Sequence, residues 1–450
     1  MKKIDFPNKN TAQNINSAIK PIIIIGGGIT GIQTALDLAD MGLHVYLVER
    51  SSSIGGRMAQ LDKTFPTNDC SMCILSPKMI DCARHENITL LVYSEVVEIK
   101  GDPGNFTVKI RQKPKYIDHL KCTGCGDCIS KCPVKVPNEF NMSIDTRKAI
   151  YLRFPQAVPK KVVIDSDHCL FLTKGRCRAC EKVCQAKAID FAQMEKLVEL
   201  NAEAVVFATG FEPYDVSKLK EYGYGEIDNV ITAMEYERLI SASGPTGGEL
   251  MRRSDNEIPN RLAFIQCVGS RDIRHKLYCS SVCCMYATKE AILAREHYDN
   301  LSATIFYTDL RAGGKKFQSY ISRARDEYGV SYLRGRPGRI EQSEESGNPI
   351  IVYEDTTTRE LKKTEVDMVV LCPALVPSEA HSMKNNPDIE IDEYGFIKIP
   401  DRIFSPFDTS RDGIYACGFC QAPQDIPTAV VQASGAAARV AEFICTANVR

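Results

Sequence analysis

The stretch from Pro21 to Arg50 constrains this chain most. Pro21-Ile22-Ile23-Ile24-Ile25 reads as a buried strand, Gly26-Gly27-Gly28-Ile29-Thr30-Gly31 as a tight loop, and Ile32 to Met41 as an amphipathic helix closed by Gly42. A second apolar run, His44 to Val48, ends in Glu49, 18 residues past Gly31. Strand, Gly-x-Gly-x-x-Gly, helix, strand and acid form the order of a dinucleotide-binding unit. Gly26, Gly28 and Gly31 let the backbone approach a pyrophosphate at the helix N-terminus, beside Ile29 and Thr30, while Glu49 accepts from a ribose hydroxyl.

The flanks indicate which dinucleotide. Ser53-Ile54-Gly55-Gly56-Arg57-Met58 follows the acid and resembles the second pyrophosphate contact of flavoproteins with two dinucleotide domains, the thioredoxin and glutathione reductases. Ala204 to Gly210 is similar to their crossover strand, and Asp412 to Gly418 to the strand that closes over the flavin ribityl chain. The resemblance implies FAD rather than NAD, with Arg50, Gly56, Arg57, Met58, Val97, Thr209, Gly210 and Gly418 joining the loop residues around it. The expected fold is α/β, a flavoprotein of two dinucleotide-binding domains.

Composition narrows the function classes. A chain of 450 residues with 44% hydrophobic content can form two or three cored domains. A formal net charge of −1 advertises neither nucleic acid nor an anionic membrane as partner. Residues 1–20 are polar, as expected of a disordered tail without signal peptide or anchor, and no run reaches 18 apolar residues. A cytoplasmic protein is expected, in which 19 cysteines point to metal or redox chemistry rather than disulfides.

The cysteines fall into sets. Cys70-x-x-Cys73 is either a redox dithiol that exchanges electrons with a flavin or a pair of packed thiols at a pocket wall. Cys82 stands alone, as buried filler. Cys122, Cys125, Cys128 and Cys132, followed by Pro133, have the bacterial ferredoxin spacing. Cys169, Cys177, Cys180 and Cys184 follow after an extended excursion of 36 residues. This second set departs from the pattern: seven residues separate Cys169 from Cys177, and Gln185 stands where ferredoxins place proline. Two 4Fe–4S clusters are expected, one on Cys122, Cys125, Cys128 and Cys184, the other on Cys132, Cys169, Cys177 and Cys180, with a zinc site in the second set as the alternative. The ferredoxin module spans 116–194, inserted in a flavin domain made of 21–115, 195–260 and 368–450.

Between them, 261–367 reads as a second dinucleotide-like domain with a helix from Thr288 to His297 and a strand from Ala303 to Thr308. Its glycine loop is missing. Gln266 to Asp272 stands there instead, and Cys267, Cys279, Cys283 and Cys284 fall within 18 residues. A third cluster beside the flavin is expected, although adjacent Cys283 and Cys284 can share a cubane only where the chain is irregular or begins a helix.

The runs Lys63 to Lys78, Phe154 to Pro159, Cys177 to Cys184 and Cys279 to Ala287 resemble the A subunit of heterodisulfide reductase. The resemblance covers nearly the whole chain from Pro21. It implies a cytoplasmic electron-transfer subunit whose FAD splits electron pairs, possessing a nearby cluster and an inserted two-cluster ferredoxin domain. It further implies iron-sulfur partner subunits, a hydrogenase-, pyridine-nucleotide- or ferredoxin-dependent donor module, and a homodimer of the flavin subunit. Against long members a short form is expected, since the sequence ends soon after the flavin-closing motif, lacking the C-terminal ferredoxin domain and the added N-terminal domain that they have. Two rivals are a flavin disulfide reductase using Cys70 and Cys73, and a scaffold with a structural FAD.

Since Gln266 to Asp272 offers nicotinamide dinucleotides no glycine cradle, the purified chain without partners should not oxidise NADH or NADPH. Stopped-flow absorbance at the flavin band tests this; rapid bleaching by either nucleotide would contradict it.

Overall fold

The computed structural model describes residues 21–378 and 389–447; the expected tail at 1–20 lies outside them. The first lobe is built on a five-stranded parallel sheet in the order Ile414–Ala416, Ala204–Phe207, Ile22–Ile25, Val45–Glu49 and Ile88–Val92. Its strands are mostly apolar because both faces are covered over most of the sheet. Ile22 and Ile24 pack under the helices Ile29–Asp40 and Ile426–Ala447. Ile23 and Ile25 face the opposite way, onto Val96, Phe106, Val108 and Ile110 of a three-stranded antiparallel sheet.

That smaller sheet carries the insertion. The strand Asn105–Gln112 pairs with Lys196–Ala202 in a register that sets Gln112 opposite Lys196. The ferredoxin module therefore leaves and re-enters at neighbouring points. Its 36-residue stretch between the cysteine sets differs from the extended excursion expected. It forms short strands, and Phe154 to Val158 packs back on the flavin lobe: Ile54 N–H donates to the Val158 carbonyl at 3.0 Å, and Val158 N–H to Ser53 Oγ at 2.9 Å.

The second lobe repeats the first. Its parallel sheet runs Val230–Thr232, Met368–Pro373, Arg261–Val268, Ser302–Tyr307, Ser331–Arg334, with a three-stranded antiparallel sheet beside it. This corrects the boundaries at 260 and 368, since Val230–Thr232 and Met368–Pro373 belong to this sheet and not to the flavin lobe. An apolar run buried on both faces reads the same in either sheet, and only its pairing assigns it. The lobes are joined by the antiparallel ribbon Phe211–Pro213 and Leu375–Pro377.

Two helix starts also differ. The first helix begins at Ile29, three residues before Ile32, because Gly28 in extended backbone serves as its N-cap. The helix of the second lobe begins at Cys283, not Thr288.

A buried ionic knot fixes lobes and insert together. The helix Ala233–Ile240, closed at its start by a Thr232/Glu235 capping box, carries Glu237 and Arg238. Arg238 has no exposed surface. It donates to Gln60 O of the flavin lobe and Asn141 Oδ1 of the insert, both at 2.9 Å, and to Ser243 Oγ at 3.2 Å. Its guanidinium lies 4.9 Å from the Phe140 ring centre. Glu237 accepts from Asp62 N–H at 2.9 Å and pairs with Lys289, which also donates to Lys63 O at 3.0 Å.

Arg238→Ala leaves neutral acceptors buried and unpaired, at about 1–3 kcal/mol for each one fully desolvated. A fall in melting temperature together with faster proteolysis of the insert is the expected readout.

Candidate flavin cradle and cysteine sites

The glycine loop lies between the strand Ile22–Ile25 and the helix Ile29–Asp40, and its glycines have different tasks. A Cβ on Gly26 (φ +112) would sit 2.3 Å from Ala208 O, and one on Gly31 would sit 1.9 Å from Gly26 O. Those two allow strand, loop and helix to touch. Around a Cβ on Gly28 there is nothing within 4 Å. The space above Gly28 is therefore open at the positive end of the helix, where a pyrophosphate fits. Gly56 and Gly418 close its rim. A Cβ on the first would lie 2.8 Å from Gly28 Cα, and on the second 2.6 Å from Thr30 Oγ1. Gly210 likewise opens onto free space.

Glu49 is buried at the end of its strand, accepting from Gly27 N–H at 2.8 Å and Ser51 N–H at 2.7 Å. Each carboxylate oxygen keeps a second lone pair for a ribose hydroxyl. Arg50 and Arg57 both pair with Glu212. Burial, with Arg153 and Arg50 nearby, lowers the Arg57 pKa to about 10. One carboxylate shared by a crowded set of guanidiniums suits an anionic ligand, and Arg153 is supplied by the insert. Met58 is core, and Val97 is the unpaired residue of a bulge between Val96 and Glu98.

In the insert, two cavities collect the ferredoxin cysteines. One is lined by Cys122, Cys125, Cys128 and Cys184, the other by Cys132, Cys169, Cys177 and Cys180. Burial and neighbouring thiols push Cys128 up to about 12, and burial with Cys169 nearby pushes Cys180 up to about 11. Four cysteines spread around a cavity match the span of a cubane.

In the second lobe, the strand Arg261–Val268 loses register between Ile265 and Val268, and Cys267 takes a left-handed φ of +59. The chain then stays irregular to Val282 and begins a helix at Cys283. Cys267, Cys279, Cys283 and Cys284 thus occupy the strand-to-helix loop position that glycines hold in the first lobe. Cys283 and Cys284 are both buried in the helix's first turn, and the charges of Cys267, Cys284 and Cys279 act on Cys283, adding to the burial that raises its pKa. Cys284 Sγ lies 2.9 Å from Gln266 Oε1 and accepts from Arg311 N–H at 3.4 Å; Cys279 Sγ accepts from Ser281 N–H at 3.4 Å.

Beside this set the buried donor Gln266 Nε2 has no hydrogen-bond partner, and the Arg271 guanidinium, which faces Cys267, keeps its Nη1 unpaired as well as reaching that thiol. Turning the Gln266 amide over would aim its N–H at Cys284. Orphaned donors are what acceptor sulfurs of a cluster would satisfy.

Cys70 and Cys73 are exposed, so the expectation of packed thiols is corrected. Cys70 caps the helix Ser71–Arg84, and Cys73 N–H donates to its Sγ at 3.2 Å. Cys82 is fully buried in the core. The sequence did not single out Glu237, Arg238, Lys289, Glu212 or Arg153, and it marked Gln266 and Arg271 only as part of the run that replaces the glycine loop. The one available signal was charge inside apolar helical runs, as in Thr288-Lys289-Glu290-Ala291-Ile292. Burial and the adjacent Glu237 raise the Glu290 pKa well above the carboxylate range.

Comparison with known proteins fits this architecture. A family profile described as "Pyridine nucleotide-disulphide oxidoreductase" matches residues 4–126, and one described as "4Fe-4S binding domain" matches 115–138. Such profiles imply a flavin and 4Fe–4S clusters. Thioredoxin reductases of T. acidophilum and Lactococcus lactis share the fold, with TM-scores of 0.53 and 0.54 at 14% and 15% identity. The alignments cover 96% and 95% of this chain and 99% of each of theirs. Among the described residues no helix is long and apolar enough to cross a membrane.

In sequence, the chain is 51% identical over 435 residues to an iron-sulfur A subunit of CoB–CoM heterodisulfide reductase from Methanopyrus kandleri, covering 95% of this chain and 65% of that protein. It is 47% identical to the A subunit of the H(2):CoB-CoM heterodisulfide,ferredoxin reductase of Methanothermobacter marburgensis, covering 93% and 63%. It is 42% identical to a protein of Archaeoglobus profundus described as similar to the heterodisulfide reductase A subunit, covering 95% and 67%. The chain thus spans about two thirds of the length of the curated relatives it matches. With this identity along nearly its whole length, the chain belongs to the family of heterodisulfide reductase A subunits.

Proposed function

We propose that this chain is the flavin and iron-sulfur oxidoreductase subunit of a cytoplasmic heterodisulfide reductase-like complex. Bound FAD would supply exchange between electron-pair and single-electron transfer, including bifurcation, and 4Fe–4S clusters would supply single-electron carriage. Gly26, Gly28, Gly31, Gly56, Gly418 and Glu49 hold the dinucleotide, while the Arg50, Arg57 and Arg153 guanidiniums lie near its anionic part. The two insert cavities and the set Cys267, Cys279, Cys283 and Cys284 hold three clusters.

The observation that carries this proposal is the replacement in the second lobe. Strand, helix and following parallel strand are retained, but the loop between them presents four cysteines where a nicotinamide dinucleotide would need glycines. A one-electron partner therefore stands where a hydride donor would approach. The names of the relatives pair hydrogen, ferredoxin and the CoB-CoM heterodisulfide. By extension, iron-sulfur partner subunits and a donor module serve this chain too. The second reading is a disulfide reductase using Cys70 and Cys73, which lie exposed at the start of the helix Ser71–Arg84.

Two outcomes test the proposal. Gly28→Val places its branches in the open space above the loop, so flavin content should fall at least about tenfold while iron content and melting of the apoprotein hold; loss of both cofactors would contradict it. Anaerobically purified protein should contain about 12 irons per chain, and a Cys279→Ala, Cys283→Ala double variant about 8. A wild type holding only about 8 irons, unchanged in the variant, would rule out the third cluster.

A further inference from the structure

Charge is divided unevenly along this nearly neutral chain. Residues 113–195 contain 15 Lys and Arg against nine Asp and Glu, while the remainder contains 41 against 48. The insert is thus basic and the flavin-bearing body acidic.

Five of these cations lie within three residues of the cysteines that line one cavity. The seven-residue spacer between Cys169 and Cys177 folds as the short helix Leu170–Lys174, ended by Gly175 in left-handed conformation. It delivers exposed Lys174 and Arg176 immediately before Cys177, which is itself exposed. Lys131 precedes Cys132 across the same cavity, Lys135 follows three residues beyond that cysteine, and Lys182 lies two residues past Cys180; all three are exposed.

Among the described residues none of these five cations forms an ion pair. Two nearby carboxylates are already engaged, Asp165 with Arg147 and His168, and Glu181 with Arg178, whose guanidinium lies 4.8 Å and 5.6 Å from the ring centres of Phe171 and Phe191, while Asp127 and Asp167 form no ion pair among the described residues and leave the cations in excess. Five cations clustered on a small module repel one another, and no ion pair among the described residues offsets them. All five lie within three residues of cysteines that line one cavity, one of them exposed, so they suit a compact partner that must approach one point, better than a nucleic acid or a membrane surface.

We infer that Lys131, Lys135, Lys174, Arg176 and Lys182 form the docking collar for an acidic electron-transfer protein. That partner presents carboxylates around its own one-electron centre and exchanges single electrons with the cluster of Cys132, Cys169, Cys177 and Cys180 through the Cys177 edge. In each transfer the partner's reduced centre loses one electron and this cluster gains it, with no bond made and no proton moved. The inference rests on the proposed cluster-bearing function and adds the surface and charge of the partner.

The test uses the full chain loaded with its cofactors and, as probe, a pre-reduced acidic two-cluster bacterial ferredoxin, with cluster reduction followed by stopped flow. The rate constant should fall by about tenfold or more as salt rises from about 20 to about 500 mM. At low salt, Lys174→Glu with Arg176→Glu should slow it by about tenfold and flatten the salt dependence, with iron content unchanged. Lys174→Arg should retain the wild-type rate. Rates insensitive to both salt and charge reversal would overturn the inference. So would DNA duplexes or phosphatidylglycerol vesicles that compete with the ferredoxin at about 0.15 M salt. A photochemical reductant separates the levels: if it reduces the clusters while ferredoxin transfer ignores the collar, only the docking inference falls, and if it reduces none, the electron-transfer function falls as well.

Discussion

A guanidinium with no exposed surface can be tolerated only where every acceptor around it arrives together, because its desolvation alone costs several kcal/mol. Arg238 draws those acceptors from different parts of the chain: the Gln60 carbonyl on the flavin turn, the Asn141 amide in the insert, and Ser243 in its own lobe. The position of each part is therefore conditional on the others. Its neighbour Glu237 extends the constraint to Lys289, one and a half turns along the helix that starts with Cys283 and Cys284. The cysteine set of the second lobe is thereby tied to the flavin turn through one rigid helix.

Under the proposed function, the two lobes use one architectural position for two chemistries. In the first, the loop from strand to helix is made of glycines and opens onto free space. In the second, it is irregular backbone carrying thiols, with Cys283 and Cys284 at the helix's first turn. Peptide dipoles make both helix starts electropositive, which favours a pyrophosphate in one case and thiolate sulfur in the other. Conversion from anion cradle to sulfur site thus needs changes in one loop and no new fold.

Much of this was legible from residues. Pro21 to Glu49 specified strand, turn and helix because apolar period and glycine spacing are local properties. The ferredoxin cysteines were legible for the same reason, and the expected pairing of sets coincides with the linings of the two cavities. What escaped was non-local. Met368–Pro373 is as apolar as Ile22–Ile25, and nothing in its composition says which sheet it joins. Arg238 and Lys289 looked like ordinary helix-surface charges, since burial depends on partners more than 100 residues away. The start of the helix at Cys283 was hidden by the adjacent cysteines, which carry little helix preference of their own.

The pairing of Gln112 with Lys196, and of Ala204–Phe207 with Ile414–Ala416, bears on how the protein is made. Every cysteine of the insert is synthesised as one continuous block, so this module can fold and take up iron while the ribosome is still at work. The central sheet of the flavin lobe cannot close until its outermost strand emerges, hundreds of residues after its first. Metal loading can therefore precede flavin capture in the life of each chain, and in a cell short of iron the flavin site would close beside an unfilled insert.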